Sequence, residues 1–282
     1  MFVTVNGARL FFDVVGSSLA IDKQRMAERP AMIVMHGGPG FDHSTMRPYF
    51  DRYADAYQVV YLDHRGNGRS SGEPATWTLD QWGDDIAAFC DQLGLVKPVV
   101  LGQSFGGMVA MAYATRHPGQ PSKLILSSTA ARMHMEATIA MMAKLGGEAA
   151  AKTARDFWAD PTEEGMADYL TTCMPLYNPT QDPATAEARE RALMRFEVLF
   201  HFIQGEQMGM DFRPALGRIA CPTLVLAGAL DPITPLACAE EIAAALPAQF
   251  AELQVFDDAG HGVHRDQPER AEAVTRAFLA RS

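Results

Sequence analysis

The 282-residue chain reads as an α/β protein, with a mostly parallel central sheet, helices on both faces and one helical insertion. Three observations predict this. The strand-like runs in "AMIVMHGGPG", "YQVVYLDHRGNGRS", "KPVVLGQS" and "CPTLVLAGALDP" are apolar throughout rather than alternating, as strands covered on both faces must be. Strand-like and helix-like segments alternate, the pattern of βαβ units with right-handed crossovers. From about Ala130 to Phe212 the strand pattern stops, and then it resumes.

The elements follow in order. "FVTVNGARLFFDVV" alternates about Asn6-Gly7, a hairpin signal. Two buried strands come next, each ending in a glycine-rich loop, "HGGPG" and "DHRGNGRS". "TLDQWGDDIAAFCDQLGL" is a helix opened by Thr78 or Asp80 and stopped near Gly94. "KPVVLGQS" is a strand, "FGGMVAMAYATRHPG" a helix apolar on nearly every side, and "SKLILSST" a strand. The insertion follows. A strand in "CPTLVLAGALDP", a helix over 235–246, the strand "AELQVFDD" and a helix from Pro268 complete the chain. The expected organisation is therefore a core of residues 1–129 and 213–282 with a helical cap of residues 130–212. An insertion between consecutive strands lies over the carboxyl edge of the sheet, where open α/β sheets bind ligands.

Composition narrows the function classes. The chain is 48% hydrophobic and 21% charged, with a formal charge of −10. Such an acidic balance disfavours nucleic acid and anionic membrane surfaces, which call for Lys and Arg. No stretch approaches the roughly 20 apolar residues of a membrane span. The start "MFVTVNGARLFFDVVG" has no basic region followed by an apolar run, so no signal peptide is read there. The four cysteines (Cys90, Cys173, Cys221, Cys238) show neither CxxC nor metal spacing. They read as reduced thiols of a cytoplasmic protein. His261 and His264 lack a third ligand at helical spacing, so no metal is expected.

One serine stands where a buried core would take another valine. Gly102-Gln103-Ser104-Phe105-Gly106 is a G-x-S-x-G sequence between an expected strand and an expected helix, the context that gives the motif its meaning. So sharp a turn forces Ser104 to positive φ, at a cost of about 1–3 kcal/mol. It lifts the hydroxyl above the sheet, at a helix N-terminus whose free N–H groups favour developing negative charge.

A serine hydroxyl is a poor nucleophile without a base and an orienting carboxylate. In strand–turn–helix serines of this kind the acid and then the histidine follow the nucleophile along the chain. Asp231, at the end of "TLVLAGALDP", and His261, after "VFDDAG", both fall at carboxyl ends of strands on the Ser104 edge. Asp257 and Asp258 sit on the strand end of His261 itself and read as turn residues. His264 lies inside the next turn and is a weaker candidate for the base. An oxyanion needs two N–H donors. Phe105 supplies one, and the HGGPG loop the other, with Gly38 first and Gly37 second. His36 reads as an anchor of that loop, and Asp63 and Arg65 of DHRGNGRS as a structural lock.

The succession HGGPG, DHRGNGRS, GQSFGG, GALD, AGHG resembles the α/β-hydrolase fold over nearly all of the core. Within it, HGGPG followed by DHRGNGRS is similar to the proline iminopeptidase family. The resemblance implies a cofactor-free serine hydrolase with a helical cap. That family releases an N-terminal residue, preferably proline, from peptides, and relatives hydrolyse amides and small esters. The family usually carries Trp after the nucleophile, where this chain has Phe105. Its cap carries acidic residues that hold the substrate amine. The candidate here is Glu197, on an expected helical stripe with Leu193, Phe196 and Phe200, its partner being either a substrate ammonium or an arginine of this chain. Met141, Met142, Phe157, Trp158, Tyr169, Met194 and Phe202 are expected to pack the cap and roof an apolar pocket.

The expected activity is thus hydrolysis of an acyl bond in a small molecule or short peptide, with an aminopeptidase reading first. A carboxylesterase or lactonase is the alternative, and a non-enzymatic binding protein on the same scaffold a distant third. The oligomeric state is not fixed by the sequence.

Overall fold

The structure, a computed structural model, describes residues 1–281. Ten strands form: β1 Phe2–Val5, β2 Ala8–Val15, β3 Leu19–Asp22, β4 Arg25–Glu28, β5 Ala31–Met35, β6 Gln58–Leu62, β7 Val99–Gln103, β8 Lys123–Ser127, β9 Thr223–Gly228 and β10 Ala251–Phe256. Eight of them make one sheet in the order β1-β2-β6-β5-β7-β8-β9-β10. The β1–β2 hairpin turns at Asn6-Gly7, and β2 runs antiparallel to β6. From β6 onward every pairing is parallel. The expected fold class is the observed one. The separate β3–β4 hairpin was not anticipated.

Among the described residues, ten α-helices accompany the strands. They are α1 Leu79–Leu93, α2 Phe105–Arg116, α3 Met135–Ala159, α4 Glu163–Thr172, α5 Pro183–Arg191, α6 Phe196–Phe202, α7 Arg213–Leu216, α8 Leu236–Ala245, α9 Val263–Asp266 and α10 Pro268–Leu279. Helix α1 begins where Thr78 accepts from the Gln81 N–H and ends at Gly94 in the left-handed conformation. These are the start and stop signals visible in the sequence. Side chains of β5 alternate between two cores, as a strand must. Ile33 and Met35 join α1 and α2 on one face, while Met32 and Val34 join Tyr61, Phe256 and Phe278 on the other.

Helices α3 to α6 lie between β8 and β9, within the segment read as the insertion. They hold a third apolar cluster around Met142, Phe157, Met166, Tyr169 and Leu199. The segment is tied to backbone carbonyls of the core by hydrogen bonds. The Arg195 N–H donates to Gly40 O (2.7 Å), and Thr138 Oγ1 donates to Ile233 O (3.1 Å).

The DHRGNGRS turn is a lock of hydrogen bonds. Asp63 Oδ1 accepts from the His43 N–H (3.0 Å) and pairs with its Nδ1 (2.7 Å), while Oδ2 accepts from the Arg69 N–H (2.9 Å). Arg65 forks onto Asp85 through Nε and Nη2, both at 2.7 Å, with both residues buried. Asn6 and Gln81 donate to the same Asp85 carboxylate.

The joint between β7 and α2 is tightly packed. Ser104 takes φ 54° and ψ −121°, a region costly for a residue with a Cβ. A Cβ on Gly102 would overlap the Gly106 carbonyl, and one on Gly106 would overlap the carbonyl of Met35 at the end of β5. Only glycine at both positions lets the elbow close against the neighbouring strand.

Two outcomes follow from this packing. Asp85→Ala leaves the Arg65 guanidinium buried without its partner, so unfolding in urea should show a loss of about 3–5 kcal/mol. Ser104→Gly removes the backbone strain of about 1–3 kcal/mol against a chain-entropy cost of about 0.5–1 kcal/mol. The same measurement should therefore find this variant at least as stable as the parent, whereas Ser104→Ala, which keeps the Cβ, should show no such gain.

Candidate active site

Strands β5 and β7 are adjacent, with Met35 opposite Gly102, yet the chain leaves them toward opposite edges of the sheet. Such a reversal opens a crevice at the carboxyl ends. HGGPG follows β5 and Ser104 follows β7, so the two meet there. A Cβ placed on Gly37 would stand 3.8 Å from Ser104 Oγ. His36 fixes this loop. Its Nε2 accepts from the His64 N–H (3.2 Å), which leaves Nδ1–H to donate to Gly37 O (2.7 Å). Burial holds the His36 pKa below its usual value, which favours the neutral ring this arrangement requires.

Asp231 lies in the loop after β9, and His261 in the loop after β10. His261 Nδ1 pairs with Asp231 Oδ2 at 2.9 Å and Oδ1 at 3.1 Å. The buried carboxylate also accepts from the Ile233 and Thr234 N–H groups (2.8 and 2.9 Å) and from Thr234 Oγ1 (2.9 Å). Five contacts of this kind fix its orientation. His261 is held from the other side by the insertion. Its N–H donates to Tyr177 O (2.6 Å), and Asn178 Nδ2 donates to its carbonyl (3.3 Å). The Tyr177 ring meets the imidazole edge-on at 5.3 Å.

Ser104 and His261 line one cavity with about 810 Å³ of empty space, including its mouth. Gly37 and Gly38 border it from the β5 loop, and Phe157, Trp158, Met166 and Tyr169 border it from the insertion. Among the described residues, neither Ser104 Oγ nor His261 Nε2 has a hydrogen-bond partner, and neither do the N–H groups of Gly37, Gly38 and Phe105. An unused hydroxyl, an unused ring nitrogen and the unused N–H groups of Gly37 and Gly38 therefore belong to residues that line one space. The Phe105 side chain is not part of it. The ring is buried against Trp82 at 4.8 Å and Phe202 at 5.2 Å.

The rivals sit elsewhere. Asp257 and Asp258 are exposed in their turn. His264 packs between Tyr49 and Phe50, and burial pushes its pKa well below the ordinary range. Asp42, His43 and Asp63 come within ligand distance of one another, but hydrogen bonds from Ser44, Arg69 and His43 already use the carboxylates.

One candidate does not reach the site. Glu197 is exposed and outside the cavity lining. Helix α6 starts only at Phe196, so Leu193 is not on it, and the buried face is Val198, Leu199 and Phe202. The apolar stripe counted in the sequence crossed a helix boundary. Met194 is likewise exposed, at 48%. In its place the cavity is bordered by two arginines, Arg189 on α5 and Arg265 on α9, together with the Tyr177 peptide. His261 lies in the loop before α9, which starts at Val263, so no helical spacing links it to Arg265. Nothing in the sequence marked Arg189 or Tyr177. Among the described residues, no helix is long and apolar enough to cross a membrane.

Comparison with known proteins agrees with this architecture. Residues 28–268 match the family described as "Serine aminopeptidase, S33". A proline iminopeptidase of Pestalotiopsis fici is 28% identical over 288 residues, covering 99% of this chain and 98% of its own. A 3-oxoadipate enol-lactonase of Acinetobacter baylyi is 26% identical over 260 residues, covering 90% of each. The crystal structure of the Mycobacterium smegmatis proline iminopeptidase superposes with a TM-score of 0.79 at 24% identity, over 99% of this chain and 97% of that one. Peptidase, lactonase and esterase relatives share one hydrolase scaffold, and the chain belongs to the serine aminopeptidase S33 family of α/β-hydrolase enzymes.

Proposed function

We propose that this protein hydrolyses small esters or lactones through a Ser104–His261–Asp231 triad and an acyl-enzyme. The observation that carries the reading is the His261 Nδ1–Asp231 pair, at 2.9 Å, with Nε2 left free beside a cavity that Ser104 also lines. His261 Nε2 takes the Ser104 proton as Oγ attacks the carbonyl carbon. Asp231 holds the ring and stabilises the imidazolium. The Phe105 N–H and the Gly38 N–H, with Gly37 beside it, receive the oxyanion. His261 then protonates the leaving oxygen, and a water molecule repeats the cycle on the acyl-enzyme.

The ester or lactone reading rests on the cavity lining. Among the described residues, no Asp or Glu borders it, so a substrate ammonium would find no counter-charge. Aminopeptidase action on N-terminal proline is the second reading. It is favoured by the HGGPG and DHRGNGRS motifs and by a proline iminopeptidase relative that matches from end to end.

Turnover of p-nitrophenyl butyrate and of prolyl-naphthylamide separates the two. The expected outcome is ester hydrolysis with little or no amide cleavage, and the reverse preference would restore the peptidase. A fluorophosphonate probe should label the parent protein and not Ser104→Ala. Asp231→Asn should lower kcat by about 10³–10⁴-fold. Labelling that persists in Ser104→Ala would remove the triad assignment.

A further inference from the structure

The cavity that lacks carboxylates holds two guanidinium groups. Arg265 extends from α9 beneath the His261 loop. Its Nη1 lies 3.4 Å from His261 O, and its Nη2 lies 3.2 Å from Thr45 O and 3.4 Å from Gln103 Oε1. Gln103 is the residue immediately before Ser104. Arg189 borders the same cavity from α5 and makes no side-chain hydrogen bond among the described residues. Neither arginine forms an ion pair there. The nearest acid in sequence, Asp266, is already used, accepting from the Gly260 N–H (2.8 Å), Asn178 Nδ2 (2.9 Å) and the Thr180 N–H (3.2 Å).

Two like charges turned into one half-apolar space repel each other and lose hydration, unless an anion enters between them. Most other arginines of this chain are differently placed, for example Arg65 on Asp85 and Arg116 on Asp80 and Asp84. Burial and the Arg189 charge together push the Arg265 guanidinium down to about 10, so it still carries its proton at neutral pH. Burial lowers Arg189 in the same direction.

We infer that Arg189 and Arg265 form a carboxylate clamp, so that the substrate carries a free carboxylate a few bonds from the carbonyl attacked at Ser104. This deepens the ester and lactone reading and rests on it. A guanidinium fork matches a carboxylate in shape as well as charge. Arg265, beside Gln103, places that anchor next to the nucleophile, while the Phe157 and Trp158 side takes the apolar remainder. The substrate class is therefore an acidic monoester or lactone, such as a half-ester of a short dicarboxylic acid. An N-terminal ammonium meets repulsion at the same place.

The test uses the whole protein, p-nitrophenyl butyrate as the reporter substrate, and glutarate against its uncharged analogue glutaramide as inhibitors. Glutarate should compete with the ester and inhibit at least tenfold more strongly than glutaramide. Arg189→Leu breaks no hydrogen bond among the described residues, and it should erase most of that ratio. Arg265→Gln should reduce it as well, but its bonds to Thr45 and His261 make it the second choice. Equal inhibition by glutarate and glutaramide, or an unchanged ratio in Arg189→Leu, overturns the clamp and leaves ester hydrolysis standing. If the butyrate ester is not turned over, the ester and lactone reading falls instead. The same two compounds, titrated by calorimetry into the parent and Arg189→Leu, then decide the clamp by the same tenfold criterion.

Discussion

Strands β5 and β7 pair in parallel with Met35 opposite Gly102, and every other feature of the site is measured from that contact. It brings the HGGPG loop to the β7–α2 elbow while the chain departs to opposite sides. The hollow between them is therefore a result of topology and needs no local device to hold it open. The glycines at 102 and 106 are the condition for the close approach. The strained backbone of Ser104 is tolerated because the sheet beneath it is paired on both sides and buried on both faces.

Polar groups around the site are placed by saturation. Asp231 meets His261 and three other donors, His36 spans Gly37 and His64, and Asp63 meets His43 and Arg69. Each of these groups is held by more than one bond, which fixes its orientation. The groups left over are the informative ones. They include Ser104 Oγ, His261 Nε2, the Gly37 and Gly38 N–H groups and the Arg189 guanidinium, all on residues that border the same cavity.

The core was legible because its signals are local. Apolar runs ending in glycine marked β5, β6 and β7, Thr78 and Gly94 bounded α1, and a glycine-flanked serine between strand and helix marked the elbow. Asp231 and His261 could be read as neighbours because strand ends in a parallel sheet share one edge, and the structure brings them within 2.9 Å of each other. The insertion was not legible in the same way. Helices α3 to α6 pack on one another and on the sheet edge, so their buried faces depend on where each helix begins, and α6 begins too late for Glu197 to point inward. Arg189, Arg265 and the Tyr177 carbonyl matter through partners distant in sequence, and a backbone carbonyl leaves no trace in residue type. The β3–β4 hairpin, with Ile21 at 82% exposure, carries no core pattern from which it could have been read.

The hydrogen bond from the His261 N–H to Tyr177 O has a consequence for how such enzymes diverge. The peptide that holds the His261 backbone, and the Tyr177 ring that meets the imidazole edge-on, belong to the same segment that shapes the pocket wall. Exchanging this segment for that of a relative would replace the wall and the imidazole support together. Selectivity and rate are thereby inherited as a linked pair, and grafted chimaeras would need that carbonyl restored before a new preference could be expressed.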